Sequence, residues 1–315
     1  MTPALADANN GNWRTAQRWA RLLGEHYRVR PVNSWIEGNK SGLAPVAMIA
    51  LHARRSAAAI QAWRDAFSQR PLLVVLTGTD LYRDIAVDAL AQRSLQLADR
   101  LVVLNELGLQ ALPNVLRAKA SVCLQSSPAR QALPKTARHL RALMVGHLRE
   151  EKCPQTYQAA AVRLADRRDI LLDHIGEALD STLGAAAAAC ARQTPRYRWL
   201  GGLAHGAVRR HIQRAHVLVH ASRMEGGAQV VTEAITSGTP VLASRIDGNV
   251  GLLGAGYGGY FDVGDSEALA RLLRLCRDDA TMLSALQAQC ATRAALFSPA
   301  HERRTLLNLL ATLLA

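Results

Sequence analysis

The stretch of residues 222–244 most constrains the fold of this chain, because it reads as a loop, a helix and a strand in immediate succession. It holds two glutamates separated by seven residues, Glu225 and Glu233, with a glycine pair directly after the first. The apolar run around Glu233 stops at Gly238, and glycine at such a position commonly ends a helix. A glycine loop before a helix start commonly binds phosphate groups. The stretch therefore predicts an anion site, and the alternative is an ordinary helix–strand unit with solvated acidic residues.

The spacing within this stretch assigns different tasks to its residues. Gly226 and Gly227 are expected to let the backbone approach a ligand closely. The helix is predicted to begin near Ala228, so that the N–H groups of its first turn point toward a bound anion. Glu233 then lies roughly 8 Å further along the helix axis, which suits a contact with ribose hydroxyls while a diphosphate occupies the helix start.

Apolar strands alternate with helices through the remainder of the chain, as around residues 71–77, 100–104, 141–146 and 217–220. This alternation predicts an α/β fold with doubly wound parallel sheets. Serine, proline and basic residues interrupt the pattern at 126–139 and predict a boundary between domains 1–135 and 136–298. The first domain begins with a loop and a helix, so its first strand is expected to be missing or to lie upstream of Thr2.

Charge and cysteine usage narrow the classes of function. The formal net charge is +13, and nearly all of the positive charge is arginine. No long basic run or aromatic-interleaved basic stripe is present, so we expect no nucleic-acid partner, although a nucleic-acid binder is one alternative. The five dispersed cysteines lack C-x-x-C spacing, which argues against zinc and favours a reduced, cytoplasmic protein. No apolar run approaches the ~20 residues of a membrane span, so none is expected.

Polar residues follow several of the predicted strands of the first domain. His52, the segment 77–80 and Asn105 all come at carboxyl ends of strands, where open α/β sheets bind ligands. His52 is equally compatible with a structural hydrogen bond, and Asp80 with capping of the following helix. The edge is nevertheless the expected place for a second ligand.

Several motifs of the second half together resemble the GT-B glycosyltransferases of the glycosyltransferase 4 group. They are G-x-L-x-x-x-K at 146–152, E-x7-E at 225–233, A-x-x-x-G-T-P-V at 234–241 and D-x-x-A-L-A at 265–270. The resemblance implies two doubly wound, Rossmann-like domains facing a cleft, with a nucleotide-sugar site in domain 136–298. It also implies that the last segment, 299–315, forms a helix that crosses back to the first domain.

The first half narrows the resemblance to the selenosugar synthases of selenoneine biosynthesis. The segments that carry it are 11–20, 51–56, 76–84 and 97–104. The resemblance implies transfer of a sugar from a UDP-sugar, UDP-GlcNAc or UDP-glucose, to selenophosphate. The reaction would form a carbon–selenium bond and, after loss of phosphate, a selenosugar. No metal or other cofactor is implied, and no D-x-D motif marks a metal-dependent donor site.

The resemblance also assigns residues. Lys152 is implied to neutralise the diphosphate and Glu233 to bind the ribose, while the arginine that the family has after its glycine is His147 here. The donor-binding residues are implied to be His147, Arg149, Lys152, Glu225, Gly226, Gly227, Ala228, Gln229, Val230 and Glu233. The acceptor or phosphate-binding candidates are Gly11, Asn12, Arg14, Thr15, Arg54, Arg55, Thr79 and Arg83. The candidates for catalysis are His52, Asp80 and Glu225.

Two further readings remain open at this stage. One is a transferase of the same fold that acts on an ordinary hydroxyl acceptor. The other is a catalytically silent protein that binds nucleotide sugars. The intact glutamate pair and Lys152 favour an active site over a decayed one.

Overall fold

The computed structural model describes residues 1–3, 11–35 and 44–314 and forms two compact units. The chain first passes between them after Ser126, earlier than the predicted boundary at 135. The units are composed of Met1–Ser126, Glu225–Gly227 and Ser298–Ala315 for the first, and Ser127–Met224 and Ala228–Phe297 for the second. Three residues of the glutamate–glycine motif thus belong to the first unit.

The first unit is built on a four-stranded parallel sheet whose spatial order follows the chain. Its strands are β1 (Met48–Leu51), β2 (Leu72–Leu76), β3 (Arg100–Val103) and β4 (Ala120–Val122). Its helices are α1 (Gly11–Leu23), α2 (Ala57–Ala66), α3 (Ile85–Val87), α4 (Ala89–Leu97), α5 (Asn114–Arg117) and α13 (Pro299–Leu314), with a π-helical turn at Asp80–Asp84 and a 3-10 turn at Glu106–Leu109.

Alternation along β2 explains why both faces of this sheet are covered. Side chains of successive strand residues point to opposite faces. Leu72, Val74 and Leu76 pack in one apolar cluster with α2 and α4, and Leu73 and Val75 pack in another with α1 and α13. All five side chains are buried, so a continuous apolar run here reflects a two-sided core rather than a membrane segment.

Helix α13 belongs to the first unit through a buried carboxylate. Glu302 is fully buried and accepts hydrogen bonds from Arg18 Nε at 2.9 Å, Trp19 Nε1 at 2.6 Å and the backbone N–H of Ser126 at 2.9 Å. A buried charge is tolerated only when it is paired and hydrogen-bonded in this way. Besides its apolar packing, α13 is therefore held to the first unit by a glutamate that sequence reasoning did not single out.

The edge of the sheet beside β1 continues through Met1. The Met1 amino group donates to Ile49 O at 2.7 Å, and the N–H of Leu51 donates to Met1 O at 3.0 Å. This is the hydrogen-bond pattern of a parallel pair. Met1 thus occupies one position of a strand where the sequence analysis expects a missing one.

The second unit is built on a six-stranded parallel sheet in the order β10-β9-β8-β5-β6-β7. Its strands are β5 (Leu140–Val145), β6 (Ile170–Ile175), β7 (Tyr197–Trp199), β8 (Val217–His220), β9 (Val241–Ser244) and β10 (Tyr260–Phe261). Its helices are α6 (Pro154–Arg163), α7 (Ser181–Gln193), α8 (His205–Arg214), α9 (Gln229–Ile235), α10 (Asp247–Leu253), α11 (Ser266–Asp278) and α12 (Ala280–Arg293), with 3-10 turns at Glu150–Lys152 and Ala294–Phe297.

The strand order of the second unit marks where a ligand should bind. The chain moves outward from β5 through β6 and β7 in one direction, and through β8, β9 and β10 in the other. The order therefore reverses between β5 and β8, and open α/β sheets bind ligands outside the carboxyl ends of strands at such a point. The predicted parallel α/β organisation is confirmed in both units.

Candidate active site

We call the carboxyl ends of β5 and β8, with residues 146–153 and 228–233, the second-unit edge. Close backbone contact shapes the first of these loops. A Cβ on Gly176 would lie 1.9 Å from Gly146 O, so only glycine fits beside this carbonyl. The stem of Lys152 passes over Gly146 at 3.3 Å from an added Cβ. The glycine and lysine of the predicted motif therefore lie together, with the lysine stem held against the loop.

The buried His174 hydrogen-bonds to the same loop. His174 Nε2 lies 3.2 Å from Gly146 O, and its Nδ1 lies 3.0 Å from the hydroxyl of Tyr197. A carbonyl can only accept, so Nε2 carries the proton and Nδ1 accepts from the tyrosine. Burial lowers the pKa of His174 to about 4, opposed by the hydrogen bond to Gly146. The ring is therefore neutral at pH 7.

His147 and Arg149 lie on the loop between Gly146 and Lys152. His147 Nδ1 accepts a hydrogen bond from the N–H of Glu177 at 3.1 Å. This orients the ring on the position where the family has an arginine. The side chain of Arg149 is about half exposed, with Nε 4.0 Å from Glu151. Its guanidinium remains accessible to an anion at this edge.

Arg223 fastens the lysine turn to the loop after β8. Its backbone N–H donates to Glu151 O at 2.9 Å, its Nη1 to the Glu150 carboxylate at 2.7 Å and its Nε to Cys153 Sγ at 3.3 Å. Cys153 ends the turn in a left-handed conformation, with φ of 46°. Sequence reasoning missed Arg223, since neither spacing nor pattern distinguishes it from the many other arginines.

Helix α9 begins and ends as the sequence predicts. Its first residue is Gln229, directly after Ala228. At the other end Gly238 has φ of +68°, its N–H donates to Ile235 O at 3.1 Å, and the N–H of Thr239 donates to Ala234 O at 3.0 Å. This pair of bonds is the Schellman arrangement. The predicted role of Gly238 as a helix terminator is confirmed.

Glu233 lies on α9 with a partner that sequence reasoning did not identify. Its side chain is nearly buried, and Oε1 is 2.7 Å from Nε2 of His205, the first residue of α8. Arg209 lies one turn further along α8, with Nη1 4.0 Å from the same oxygen. No motif or spacing in the sequence singles out His205, because its contact with Glu233 comes from helix packing.

We call the carboxyl ends of β1, β2 and β3, with residues 52–56, 77–84, 105 and 225–227, the first-unit edge. The glycine pair packs here against backbone. A Cβ on Gly226 would lie 2.5 Å from the carbonyl of Thr77, and one on Gly227 would lie 2.8 Å from Cβ of Leu104. Neither glycine has a positive φ. Glycine is therefore required here by close packing on strand ends, a reason that differs from the predicted approach to a ligand.

Asn105 fixes this loop on the end of β3. Its Nδ2 donates to Gly226 O at 2.8 Å and to the hydroxyl of Tyr82 at 2.9 Å. The residue is fully buried, and its Oδ1 has no hydrogen-bond partner within the described parts of the chain. A buried unpaired acceptor is unfavourable. Asn105 thus contributes one unsatisfied acceptor beside the loop that begins with the half-buried Glu225.

His52 adopts a strained conformation at the end of β1. Its φ is 72°, a left-handed value that is uncommon for residues other than glycine and that concentrates at functional sites. Its Nδ1 accepts from the N–H of Arg55 at 3.3 Å, so Nε2 carries the proton and donates to Thr79 Oγ1 at 3.2 Å. Burial lowers the pKa of His52, although nearby Asp80 raises it. The imidazole is neutral and held by Thr79.

The carboxylate of Asp80 accepts hydrogen bonds from three nearby backbone N–H groups. It is fully buried, its Oδ1 accepts from the N–H groups of Thr77 at 2.8 Å and Gly78 at 2.9 Å, and its Oδ2 accepts from Ala53 at 2.9 Å. The same Oδ2 is 3.7 Å from His52 Nδ1. The geometry therefore gives Asp80 a positioning role, where the sequence analysis expected a catalytic one, because its oxygens are occupied by backbone donors.

The arginines proposed for the acceptor are not equivalent. Arg54 Nε lies 2.8 Å from Asp88, and Arg83 Nε donates to Asp84 at 3.0 Å. Both side chains are about half exposed, so these ion pairs are weak and exchangeable. Arg55 is exposed and follows His52 closely in the chain. The three arginines of this edge are matched by three carboxylates, Asp80, Asp84 and Glu225, and Arg54 and Arg83 already pair with acidic neighbours.

The first group of acceptor candidates lies at the start of α1. Gly11, Asn12, Arg14 and Thr15 all lie in its first turns, and Thr15 Oγ1 donates to Gly11 O at 2.9 Å. The amide of Gln125 lies 2.7 Å from Thr15 Oγ1, and its nitrogen, suitably oriented, reaches Gly227 O at 3.2 Å. Thr15 is therefore connected to the glycine loop through Gln125, a link that the sequence did not indicate.

Among the described residues, no group of three or more His, Cys, Asp or Glu side chains is arranged to hold a metal ion. No helix in the described ranges is long and apolar enough to cross a membrane.

Comparisons with known proteins agree with this geometry. The profile of the family described as glycosyl transferases group 1 matches residues 125–295, which include Lys152 and Glu233. No curated protein matches the chain.

Similar folds occur among solved structures. HepE of Anabaena, solved with UDP and glucose, has a TM-score of 0.69 at 18% identity over 85% of this chain and 78% of its own. Sucrose-phosphate synthase of Thermosynechococcus elongatus has a TM-score of 0.69 at 17% identity over 85% and 73%. TarM of S. aureus, solved with UDP, has a TM-score of 0.68 at 12% identity over 84%, and this chain spans only 55% of its length. At these identities the likeness shows the GT-B fold.

Proposed function

The chain belongs to the glycosyl transferases group 1 family, and from this membership we propose that it transfers a sugar from a UDP-sugar, UDP-GlcNAc or UDP-glucose. The observation that carries the proposal is the second-unit edge. There, Lys152 lies against Gly146 and Glu233 lies on the helix that starts at the same edge. Solved proteins of similar fold were obtained with UDP, UDP-glucose or GlcNAc, which supports this donor class.

Each group at this edge has a defined task in donor binding. The diphosphate carries negative charge, which Lys152 and Arg149 neutralise, while His147 offers a ring N–H as a hydrogen-bond donor. The N–H groups of Ala228, Gln229 and Val230 add donors at the start of α9. Glu233 accepts from the ribose hydroxyls with the carboxylate that His205 orients at 2.7 Å. When the glycosidic bond breaks, these same groups stabilise the departing UDP.

We assign selenophosphate as the acceptor. Support comes from the four segments of the first half that resemble selenosugar synthases, two of which, around His52 and Asp80, lie on the first-unit edge. Selenium attacks the anomeric carbon, a C–Se bond forms, and the C–O bond to UDP breaks with its electron pair leaving on UDP. Water then cleaves the Se–P bond to release phosphate and the selenosugar.

The acceptor chemistry fits a site without a strong base. Selenophosphate is already an anionic nucleophile, so proton removal is not required of the protein. Thr79 accepts from His52 and keeps its own hydroxyl proton to donate to an acceptor oxygen, while Arg14, Arg54, Arg55 and Arg83 offer positive charge. Glu225 is our candidate to act on the sugar, and Asn105 and the strand ends hold the loop that carries it.

The experiment incubates the protein with each UDP-sugar and either selenophosphate or a panel of alcohols, and identifies the products by mass spectrometry. A selenium-containing sugar and one UDP per product are expected. Formation of glycosylated alcohols without reaction of selenophosphate would contradict the assigned acceptor, while the assignment as a glycosyltransferase would stand. Binding of UDP-sugar without any product would identify a silent binder, and salt-dependent DNA binding without UDP-sugar affinity would overturn the donor as well.

Variants test the donor site separately. Lys152→Ala and Glu233→Ala should each lower kcat/KM at least about a hundredfold, because each removes a charge that contacts the donor. Glu267→Ala is the matched control, since Glu267 is exposed on α11. Unchanged turnover in both site variants would refute the assignment of these residues to the donor.

A further inference from the structure

A basic cavity lies at the opposite end of the second-unit sheet. It has a volume of about 410 Å³ and is lined by Lys135, His139, Arg141, Arg214 and His216, together with residues 133, 134 and 136. His139 directly precedes β5, and His216 directly precedes β8, so the cavity lies at the amino ends of these strands. The six residues of β5 separate it from the second-unit edge by roughly 20 Å.

Hydrogen bonds and ring packing hold the residues that line this cavity in place. The N–H of Arg141 donates to His216 Nδ1 at 3.0 Å, so His216 Nε2 carries a proton and donates to Thr136 O at 2.9 Å. The ring of His139 packs edge-on against His216 with centroids 6.0 Å apart. These contacts fix the segment that carries Lys135 against the starts of β5 and β8.

The positive charge of the cavity is poorly compensated. Lys135 is half-buried, and neither it nor Arg214 pairs with a carboxylate in the described ranges. Asp173 is the acid nearest to Arg141, at 2.6 Å, but Arg198 binds the same carboxylate at 2.8 Å. Burial lowers the pKa of Lys135. The pKa of His216 is lowered by burial and by the nearby Lys135, His139 and Arg141, while the hydrogen bond of His216 to Thr136 O raises it. Positive groups therefore crowd a concave site.

We propose that this cavity binds a phosphate group. A dianionic oxyanion would supply the missing counter-charge to Lys135, and guanidinium groups match its geometry with paired N–H donors. The volume exceeds that of a phosphate alone, so a small phosphate ester also fits. Binding would clamp residues 133–136 to the sheet, because Lys135 and the Thr136 carbonyl contact the same cavity. The site is independent of the donor diphosphate, which requires Lys152.

The test is calorimetric titration of the full chain with inorganic phosphate and with a hexose phosphate, in chloride buffer of matched ionic strength. Both the unaltered protein and Lys152→Ala should bind. Lys135→Met and Arg214→Ala should weaken binding roughly tenfold each, because each removes a charge-assisted contact. Arg192→Ala and Arg168→Ala remove exposed arginines elsewhere in the second unit and should leave the affinity unchanged.

The outcomes separate this site from the donor site. The proposal would be overturned if Lys152→Ala lost phosphate binding while Lys135→Met retained it. It would also be overturned if the unaltered protein did not bind phosphate, or if the two control variants lost as much affinity as Lys135→Met and Arg214→Ala. A hexose phosphate that binds more tightly than phosphate supports an ester ligand, and equal affinities support free phosphate. In the absence of anion, the melting temperature of Lys135→Met should be no lower than that of the unaltered protein, because the substitution relieves an uncompensated charge. A clearly lower melting temperature would instead mark the lysine as structural.

Discussion

The two strand edges use polar side chains in opposite ways. At the second-unit edge, Arg149 and His205 are about half exposed, and His205 hydrogen-bonds to the nearly buried Glu233. At the first-unit edge, Asp80 and Asn105 are fully buried, and His52 is almost so. Their hydrogen bonds go largely to the chain itself. The second-unit edge is suited to holding a charged ligand, whereas the first-unit edge is suited to holding its own loops in strained positions.

This comparison predicts that the largest loss of stability comes from Asp80. Asp80→Ala removes the acceptor of three backbone N–H groups in a fully buried place. The free energy of unfolding of the first unit should fall by about 3–5 kcal/mol, because unsatisfied buried donors are costly. Urea unfolding followed by circular dichroism measures it. An unfolding midpoint like that of the unaltered protein would show that the edge is not held by this carboxylate.

The same contrast explains what sequence could and could not predict. The position of Glu233 on a helix and the role of Gly238 as its terminator follow from local spacing, and the Schellman bonds confirm the terminator. Parallel α/β sheets follow from the alternation of strands and helices. Arg223 and His205 were missed, because their partners come from other loops and helices, and Glu302 for the same reason.

The glycine pair shows a subtler limit. Its importance was visible in sequence, but the reason assigned to it was a ligand. The structure shows Gly226 against Thr77 and Gly227 against Leu104, both without a positive φ. A glycine required by packing and one required by a ligand look alike in sequence, since each only reports that a Cβ is excluded.

The next largest effect concerns the buried histidine beneath the second-unit edge. The pKa of His174 is lowered from 6.5 to about 4, first by burial. Between these values the unfolded chain binds a proton that the folded chain does not, so stability falls as pH falls from 6.5 toward 4. The loss should reach about 3 kcal/mol at pH 4.

Urea unfolding between pH 7 and 4 measures this dependence. His174→Gln should be less stable at pH 7 but should lose less on acidification, because the titrating ring is gone. His26→Gln is the control, since His26 is exposed. If His174→Gln keeps the full pH dependence, the neutral ring is not the cause of acid sensitivity.

A smaller effect is expected from the glycine loop. Gly226→Ala places a methyl group 2.5 Å from the carbonyl of Thr77, so the loop must shift. Stability should fall by about 1–3 kcal/mol, and kcat/KM should fall as well because Glu225 moves with the loop. Gly206→Ala on α8 is the control, since no described atom lies within 4 Å of its added Cβ. A Gly226→Ala protein with unaltered activity would separate this loop from catalysis.

The smallest expected effect concerns the hydrogen bond from His205 to Glu233 at the second-unit edge. His205 donates to Glu233 from a half-exposed position, so its hydrogen bond is partly replaced by water when it is removed. His205→Ala should raise KM for the UDP-sugar about fivefold with little change in kcat, equivalent to about 1 kcal/mol. His205→Gln should recover most of this affinity, because its amide can donate to the same carboxylate, and His211→Ala on the same helix should have no effect. If His205→Ala lowers kcat and leaves KM unchanged, the histidine contacts the reacting groups, and the second-unit edge does more than hold the donor.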